Sequence, residues 1–358
     1  MHTGDTAYTA RHWKKLPDGR VECELCPHRC RLKDGQRGLC FVRAAKKGEL
    51  VLTTYGRSSG FCIDPIEKKP LFHYLPGTPV LSFGTAGCNL QCRMCQNWSM
   101  SKATEMQILA EDASPSLIAQ AAKRQGCRSV AFTYNEPLIF LEYAVDVARA
   151  CHEEGIKTVA VTAGYVNPGA REDFFAHMDA VNMDLKGFTD EFYRRICGGD
   201  LQTVLETMIY LRQKTSAWVE ITNLVIPGLN DSPEEIRAMV CWLRAEMGAD
   251  VPLHFSAFHP SYKMQDKPPT PPETLIMARN IAREEGLSYV YVGNVHDPEG
   301  GSTLCTGCGR KIIGRDWFVL TSWDLTPDGK CRHCGTACPG VFDAKPGTWG
   351  ARCVPVQL

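Results

Sequence analysis

The sequence lacks the features of membrane, secreted and nucleic-acid-wrapping proteins. No stretch approaches the ~18 consecutive apolar residues that a transmembrane helix needs, so no membrane partner is expected. Residues 1–15 are polar and lack the apolar core of a secretory signal, which predicts a cytoplasmic protein. Net charge is also missing, because 40 basic residues balance 40 acidic ones. This balance disfavours nucleic acid as a partner, although a local basic patch would escape such a count.

Cysteine, by contrast, is abundant, with 18 residues in a chain of 358. In a protein that is not exported, so many thiols argue against a disulfide framework and for metal or catalytic roles. Eleven of these cysteines fall into three clusters, which mark three expected domains. We predict a Cys-rich N-terminal segment over 1–78, a central domain over 79–296 and a small C-terminal domain over 297–358.

The central region alternates short apolar runs with helical patterns. One helix is predicted after Ser232, because Pro233 suits the first helical position and acidic residues follow it. Strand–helix alternation at this spacing predicts right-handed crossovers and a parallel sheet. Strands are predicted over 80–83, 129–132, 157–161, 179–185, 218–225, 253–258 and 289–292.

Polar residues share one face on three of these predicted strands. Because parallel sheets are normally buried on both faces, such rows would be costly against covering helices unless they were paired. A barrel lumen that holds a polar ligand explains them more easily, and satisfied buried polar pairs stay the alternative. We therefore predict an α/β fold, namely a partial (β/α), TIM-like barrel with an occupied interior. The rows are Asn182, Asp184 and Lys186; Glu220 and Thr222; and His254 and Ser256.

The middle cysteine cluster has the spacing C-x3-C-x2-C at Cys88, Cys92 and Cys95. Three thiolates without a fourth suit a four-iron cluster in which one iron is open to a ligand. A structural zinc site would need a fourth nearby ligand, and the local sequence offers none. The cluster follows the first predicted strand directly, which places it at the C-terminal mouth of the barrel.

This motif is the signature that the chain shares with the radical S-adenosylmethionine (SAM) superfamily. Five segments extend the resemblance to the pyruvate formate-lyase activating enzyme-like branch, and within it to the radical SAM proteins of the AmmeMemoRadiSam system. One departure is Met94, where many members carry an aromatic residue; this weakens a role in stacking on adenine. The segments are DPIEKKPL at 64–71, GCNL at 87–90, CQNW at 95–98, YNEP at 134–137 and VGNV at 292–295.

The resemblance implies a [4Fe–4S] cluster that reductively cleaves SAM to a 5′-deoxyadenosyl radical. That radical would abstract hydrogen from an unidentified small-molecule or protein substrate, and a flavodoxin- or ferredoxin-type donor would supply the electron. One alternative is an activase that makes a glycyl radical on a partner enzyme. Another version acts together with the Memo-like and AMMECR-type proteins that give the system its name. A rival of another class is a non-catalytic iron–sulfur or zinc sensor or nucleic-acid adaptor, which would not cleave SAM.

The resemblance also suggests roles for residues that follow the strands. Asn135 or Glu136 would accept hydrogen bonds from the SAM amino group. For Asp184 and Lys186 an internal salt bridge is an equal alternative to a ligand role. No catalytic residue is assigned beyond the cluster ligands. Candidates for SAM or substrate contacts are Thr162, Asp184, Lys186, Glu220, Thr222 and Asn223, with His254, His259, Tyr262 and Asn294 as further candidates toward the substrate.

The C-terminal cluster consists of two C-x2-C-G pairs, Cys305/Cys308 and Cys331/Cys334, with 22 residues between them. This pattern predicts a four-thiolate zinc ribbon, in which the glycines let the backbone turn toward the sulfurs. Iron in a rubredoxin-like site is the alternative metal. The N-terminal cluster, Cys23, Cys26, Cys30 and Cys40, predicts a second centre that holds zinc or an auxiliary iron–sulfur cluster. Reduced free cysteines are its alternative.

Overall fold

Two small antiparallel sheets form the N-terminal part of the molecule. The computed structural model describes residues 8–103 and 111–358 of the chain. One sheet contains β2 (Trp13–Lys15), β3 (Val21–Cys23) and β4 (Arg31–Leu32). The other contains β1 (Tyr8–Thr9), β5 (Arg43–Lys46) and β6 (Glu49–Leu52). A buried ion pair fastens this part to the centre, because the Arg43 guanidinium donates to both Glu142 oxygens at 2.8 and 2.6 Å.

A ten-stranded mixed sheet forms the centre of the molecule. Seven of its strands run parallel and lie side by side in chain order, as βα crossovers require. Every predicted strand is present, with each end within one residue of its expected position. The antiparallel strands β7 (Arg57–Pro65) and β9 (Glu111–Asp112) lie at one side. The parallel strands are β8 (Pro79–Gly84), β10 (Ser129–Phe132), β11 (Lys157–Thr162), β12 (Ala180–Asp184), β13 (Trp218–Val225), β14 (Leu253–Ala257) and β15 (Val290–Gly293).

Helices lie between the parallel strands, and the longer ones each bury an apolar face. The helix predicted after Ser232 is confirmed: the Ser232 hydroxyl accepts from the Glu235 N–H at 3.1 Å, and Ile236, Val240 and Leu243 are buried. A π-helical turn, Tyr193–Cys197, follows one short helix. The helices are α1 (Trp98–Ser101), α2 (Pro115–Arg124), α3 (Leu141–Glu153), α4 (Pro168–Phe175), α5 (Asp190–Phe192), α6 (Leu201–Lys214), α7 (Pro233–Glu246) and α8 (Pro272–Glu284).

The C-terminal part bridges the two edges of the open central sheet. Its own sheet contains β16 (Thr303–Leu304), β17 (Lys311–Asp316) and β18 (Val319–Trp323). Ile312 and Ile313 share an apolar cluster with Tyr291 on the edge strand β15. The last strand, β19 (Val354–Pro355), pairs with β7 at the opposite edge. The molecule is therefore an α/β protein with an open barrel, as expected, and its C-terminal part spans the opening.

The domain boundaries at 78/79 and 296/297 stay a prediction. Two strands from the outer regions, β7 and β19, belong to the central sheet, so the three parts share hydrogen-bonded structure. Across the described ranges, no helix has both the length and the apolar composition needed to cross a membrane.

Candidate active site

A cavity of about 440 Å³ lies at the carboxyl ends of the parallel strands. This is the end at which barrels of this kind place their chemistry. The cavity is lined from the loops after β8 and β10, from the ends of β11 to β15, and from the C-terminal hairpin. Each of the three predicted polar rows therefore contributes side chains to one interior space. This follows because consecutive parallel strands end at the same mouth of the barrel.

The three cysteines of the central motif line this cavity as free thiols. The middle of their loop is held by two backbone hydrogen bonds to the segment 196–197: Gln91 N donates to the Cys197 carbonyl at 2.7 Å, and Arg93 N donates to the Ile196 carbonyl at 2.9 Å. Lys102 and Lys186 place positive charge near the thiols. Soft thiolate ligands beside cations, open to a polar cavity, fit an iron–sulfur cluster with one accessible iron.

Met94, the residue before the third cysteine, is 2% exposed and also lines the cavity. A thioether fills this part of the wall where many superfamily members have an aromatic ring. The loop thus keeps an apolar contact surface beside the thiols, although adenine stacking would need another side chain.

Asn135 holds the cluster loop in place. Its amide NH₂ donates to the Gly87 carbonyl at 2.8 Å, and its carbonyl oxygen accepts from the Thr85 N–H at 3.1 Å. Because both ends of the amide are used by the loop, the structure gives Asn135 a positioning contact and leaves its expected SAM contact a prediction.

Glu136 is buried at the cavity wall beside the end of β11. Its carboxylate accepts from the Thr162 hydroxyl in a short hydrogen bond and from the Ala163 N–H at 2.8 Å. Burial raises the pKa of Glu136 to about 7, even though these hydrogen bonds oppose the shift. Glu136 and Thr162, both predicted from the sequence, therefore line the same wall of the cavity, and the Glu136 carboxyl group changes its charge near neutral pH.

Asp184 and Lys186 form the internal salt bridge that the sequence left open, with the Lys186 ammonium 2.9 Å from an Asp184 oxygen. Burial opposes the charge, but Asp184 and the nearby thiol of Cys92 raise the pKa of Lys186 well above its usual value. Both side chains also line the cavity and keep partial exposure of 32% and 19%. The pair can thus present a cation and an anion to a ligand while it remains paired.

Glu220 lies outside the cavity lining. Its carboxylate accepts from the backbone N–H groups of Phe72 and His73 at 2.9 and 2.7 Å and lies 2.7 Å from His254 Nε2. Burial alone would raise the pKa of Glu220, but the hydrogen bond and charge of His254 outweigh it and lower the pKa. The structure thus surrounds Glu220 with protein partners, whereas Thr222 and His254 do line the cavity.

Asn182 and Asn223 are likewise bound by the protein itself. Asn182 donates to the Pro70 carbonyl at 2.7 Å and accepts from the Thr222 hydroxyl at 3.0 Å. Asn223 donates to the Leu185 carbonyl at 2.7 Å. The amide oxygen of Asn223 is buried without a hydrogen-bond partner. Both interpretations of the polar rows are therefore partly right: most of their members line the cavity, whereas Asn182 and Glu220 are bound by protein partners.

The further substrate candidates divide in the same way. Asn294 lines the cavity, and its backbone adopts the left-handed conformation, with φ 58°. Tyr262 stacks on the exposed Trp98 with ring centroids 5.8 Å apart, next to the cysteine loop. His259 is exposed and lies outside the cavity lining.

Sequence reasoning missed two contributions to the cavity. The buried ammonium of Lys69 lines it and lies 2.6 Å from the Asp64 carboxylate. Phe318, at the β17–β18 turn, reaches it from the C-terminal part. Lys69 belongs to the DPIEKKPL segment that supports the family resemblance, but the sequence predicted no role for it. No local pattern marks Phe318, because only the tertiary fold brings that turn to the barrel mouth.

The C-terminal cysteines form a group that can hold one metal ion. All four sulfurs lie within 4.8 Å of one another, with separations of 3.4 Å for Cys305–Cys334 and 3.8 Å for Cys308–Cys331. Tetrahedral zinc with bonds of about 2.3 Å needs sulfur separations near 3.8 Å. As predicted, Gly309 and Gly335 adopt positive φ, at 71° and 77°.

Comparison with known proteins finds similarity over the central region and, for one relative, over most of the chain. A family model, the Radical SAM superfamily, matches residues 83–240. The uncharacterized protein MJ0808 of Methanocaldococcus jannaschii is 42% identical over 91% of this chain and 97% of its own length. The pyruvate formate-lyase-activating enzyme of Clostridium pasteurianum is 31% identical over 43% of this chain and 64% of its own length. The pyruvate formate-lyase 1-activating enzyme of Escherichia coli K12 is 24% identical over 60% and 93%.

The chain belongs to the radical SAM superfamily. Its activating-enzyme relatives place it in the pyruvate formate-lyase activating enzyme-like branch. The protein is therefore a radical SAM enzyme, and the interpretation as a non-catalytic sensor or nucleic-acid adaptor is set aside. Membership implies a [4Fe–4S] cluster and SAM as cofactors, which the three thiols of the cavity fit.

Proposed function

We propose that the cavity binds SAM against an iron–sulfur cluster on Cys88, Cys92 and Cys95 and holds a substrate from which hydrogen is abstracted. The observation that carries this proposal is the convergence of three free thiols, the buried Glu136 carboxyl and the Asp184–Lys186 pair on one space. When bound, the cluster and SAM together supply one-electron cleavage of SAM and removal of a hydrogen atom from the substrate.

The residues of the chain bind and orient the reactants. Glu136 and Thr162 present oxygen atoms suited to the SAM amino group, and the Lys186 ammonium suits its carboxylate. Asn135 fixes the cluster loop through Gly87 and Thr85. Thr222 and His254 face the deeper part of the cavity and are proposed substrate contacts.

Part of the cavity wall is apolar, and we propose that this surface limits water around the bound reactants. Leu90, Met94 and Phe72 supply apolar surface, and Phe318 adds a ring from the C-terminal part. Exclusion of water protects a reactive intermediate from side reactions. We propose that the substrate is a small molecule or a protein side chain that reaches this cavity.

A second function is favoured by the named relatives: activation of a partner enzyme through a backbone glycyl radical. The two similar enzymes from Clostridium pasteurianum and Escherichia coli carry activating-enzyme names. Memo-like and AMMECR-type proteins remain proposed partners of the first function and rest on the resemblance alone. A flavodoxin- or ferredoxin-type protein is the proposed electron donor in either case.

We further propose that the C-terminal cysteines hold zinc and that this part is mainly structural. A hydrogen bond with the Thr336 side chain lowers the pKa of Cys334 to about 6, which favours the thiolate that the metal needs. The separations of 3.4 and 3.8 Å support a single tetrahedral ion.

The proposed reaction can be tested on the whole chain after anaerobic reconstitution with iron and sulfide. Dithionite and SAM should yield 5′-deoxyadenosine, measured by liquid chromatography. Cys92→Ala should abolish this product, whereas Cys127→Ala, a buried core cysteine away from the cavity, should leave it unchanged. A wild-type chain with an intact cluster that forms no 5′-deoxyadenosine would overturn the proposal.

The substrate class can be separated by label transfer. Incubation with deuterated cell-extract fractions should place deuterium in 5′-deoxyadenosine only when the substrate is present. Transfer from a small-molecule fraction supports the first function. Deuterium from a protein glycine, together with a glycyl-radical signal in electron paramagnetic resonance, would instead establish the activase.

A further inference from the structure

Four N-terminal cysteines, the N-terminal quartet, surround one small cavity outside the active site. Cys23, Cys26, Cys30 and Cys40 all line it, together with Arg43 and Asn89. Three of the thiols are buried, at 7%, 7% and 8% exposure, and Cys30 is half-buried. The four cysteines come from the end of β3 and from the loops after β3 and β4, yet their sulfurs line one cavity. Core packing alone does not require sulfurs to converge in this way.

Backbone N–H groups point at each sulfur of the quartet. Cys23 accepts from the N–H two residues later, as do Cys26 and Cys40, and Cys30 accepts from Leu39 N at 3.5 Å. The same two-residue pattern occurs at Cys88 and Cys334 in the other two clusters. Such hydrogen bonds stabilise metal-bound thiolates and orient them, so the quartet shares the local geometry of a ligand set.

The quartet is more widely spaced than the C-terminal site. Over residues 8–103 and 111–358, only the C-terminal four bring three or more ligand atoms within 4.8 Å of one another. A single tetrahedral zinc ion requires that compactness. A four-iron cluster binds each cysteine to a different iron, which keeps the sulfurs farther apart, as in the Cys88–Cys95 motif.

A positive charge accompanies the quartet. The buried guanidinium of Arg43 lies at the cavity and interacts electrostatically with Cys23 and Cys40. Four thiolates on a four-iron core carry net negative charge, which is costly to bury without a cation. The Arg43 guanidinium lowers the cost of negative charge at Cys23 and Cys40, while the Glu142 carboxylate opposes it at Cys23. The contact of Arg43 with both Glu142 oxygens fixes the position of the guanidinium.

The quartet adjoins the loop that carries the active-site cysteines. A Cβ atom at Gly87 would overlap the Cys40 carbonyl oxygen, so the two backbones are in direct contact. The His28 ring Nε2 lies 2.8 Å from the Asn89 carbonyl oxygen. On its other side, Cys30 and the exposed Leu39 open the quartet toward solvent.

We propose that the N-terminal quartet holds a second four-iron cluster, which relays one electron from an external donor to the cluster at Cys88, Cys92 and Cys95. The relay part rests on the proposed function. A reduced ferredoxin loses one electron to the second cluster, whose core changes from 2+ to 1+. That core returns to 2+ when it reduces the active-site cluster, and no bond forms or breaks in the relay.

Metal analysis of the reconstituted whole chain tests the site. We expect about eight iron, eight sulfide and one zinc per chain. Cys26→Ala/Cys30→Ala should lose about half of the iron and keep the zinc, whereas the matched control Cys127→Ala/Cys151→Ala should lose none. A wild-type chain with about four iron, with or without a second zinc, overturns the proposal even when the variant fails to fold.

Electron transfer tests the relay. With reduced ferredoxin, the variant should form 5′-deoxyadenosine at least about tenfold more slowly than the wild type, but at an unchanged rate with dithionite, which reaches the active-site cluster directly. Equal effects with both reductants, or none with either, overturn the relay. Bleaching of the visible iron–sulfur absorbance by ferredoxin gives a readout that needs no SAM cleavage. A wild type that bleaches and holds eight iron but forms no product contradicts the proposed function alone.

Discussion

Single side chains decide which parts of the barrel interior are free to meet a ligand. Two buried glutamates make the contrast. Glu220 receives donors from Phe72, His73 and His254, so its charge is satisfied within the protein. Glu136 itself lines the cavity and accepts from Thr162, Ala163 and the Leu138 N–H, yet burial raises its pKa to about 7. Ionising the buried Glu136 carboxyl group is costly, so a ligand cation that stabilises its carboxylate would be favoured there. Glu220 already has such a partner in His254.

This difference predicts a pH-dependent affinity for SAM. Glu136 is mostly neutral below pH 7 and ionised above it, because its pKa is raised to about 7. An ammonium group binds the carboxylate, so the dissociation constant for SAM should rise as pH falls through 7. Glu136→Gln should remove the pH dependence and weaken binding about 10- to 100-fold, since a hydrogen bond to a charged group contributes ~1.5–3 kcal/mol. Anaerobic equilibrium dialysis between pH 6 and 8.5, a range around the pKa, measures this.

Glu67→Gln is the matched control for that experiment. Burial raises the pKa of Glu67 to about 7 as well, and Glu67 lines the same cavity beside Lys68 and Lys69. Its substitution should leave the pH profile of SAM binding in place. A flat wild-type profile, or a profile that disappears only in Glu67→Gln, would contradict the role given to Glu136.

At the scale of elements, the cysteine loop is fixed by neighbours from three directions. Asn135 holds its start, the segment 196–197 pairs with its middle, and the Ser261 hydroxyl donates to the Cys95 carbonyl at 3.1 Å. The N-terminal part presses on Gly87, which has φ 82° and no room for a side chain. These contacts hold the three thiols in one arrangement, although the loop itself contains no helix or strand.

Gly87→Ala should therefore disturb the cluster far more than an ordinary glycine substitution. Gly126 has a similar φ of 68° but open space around it, so Gly126→Ala measures the backbone strain alone, about 1–2 kcal/mol. Gly87→Ala adds the clash with Cys40, a further ~1–3 kcal/mol typical of overpacking. Thermal unfolding and iron content compare the two. Equal loss of stability and iron in both variants would show that the contact with Cys40 is unimportant.

At the scale of the whole molecule, the C-terminal part joins two edges of a sheet that does not close on itself. It packs on Tyr291 of β15 and on the preceding Tyr289, accepts a hydrogen bond from the His73 ring through the Pro339 carbonyl at 2.7 Å, and pairs β19 with β7. It also supplies Phe318 to the cavity. The part of the chain that carries the proposed zinc site thus contacts both edges of the sheet and the cavity, although its four clustered cysteines lie outside the cavity lining.

Loss of the C-terminal metal should loosen both edges of the sheet. Cys308→Ala removes one ligand, and we expect a loss of about 3 kcal/mol, in the range of severe single substitutions. At 2–4 °C per kcal/mol this lowers the melting temperature by about 6–12 °C. Amide exchange should rise in β7 and β15, while cluster-dependent SAM cleavage persists at low temperature. Cys241→Ala, an exposed cysteine outside the three clusters, is the control; an equal melting temperature for the two variants would contradict a structural metal.

The sequence alone determined the class of fold, the strand positions and the three cysteine sets. These follow from local information: period and spacing place strands and ligands because neighbouring residues along the chain create them. The Asp184–Lys186 pair could be named in advance for the same reason, since both residues lie at the end of one strand.

Only the tertiary structure decided which polar residues face a ligand. The Glu220 carboxylate accepts hydrogen bonds from the backbone N–H groups of residues 72 and 73, and His73 is 147 residues away in sequence. Phe318, from the C-terminal part of the chain, also lines the cavity. The contact of Cys40 with Gly87 likewise joins two clusters that the sequence treats as separate. Such partners depend on how distant segments pack, and packing is set by the whole chain rather than by any local pattern.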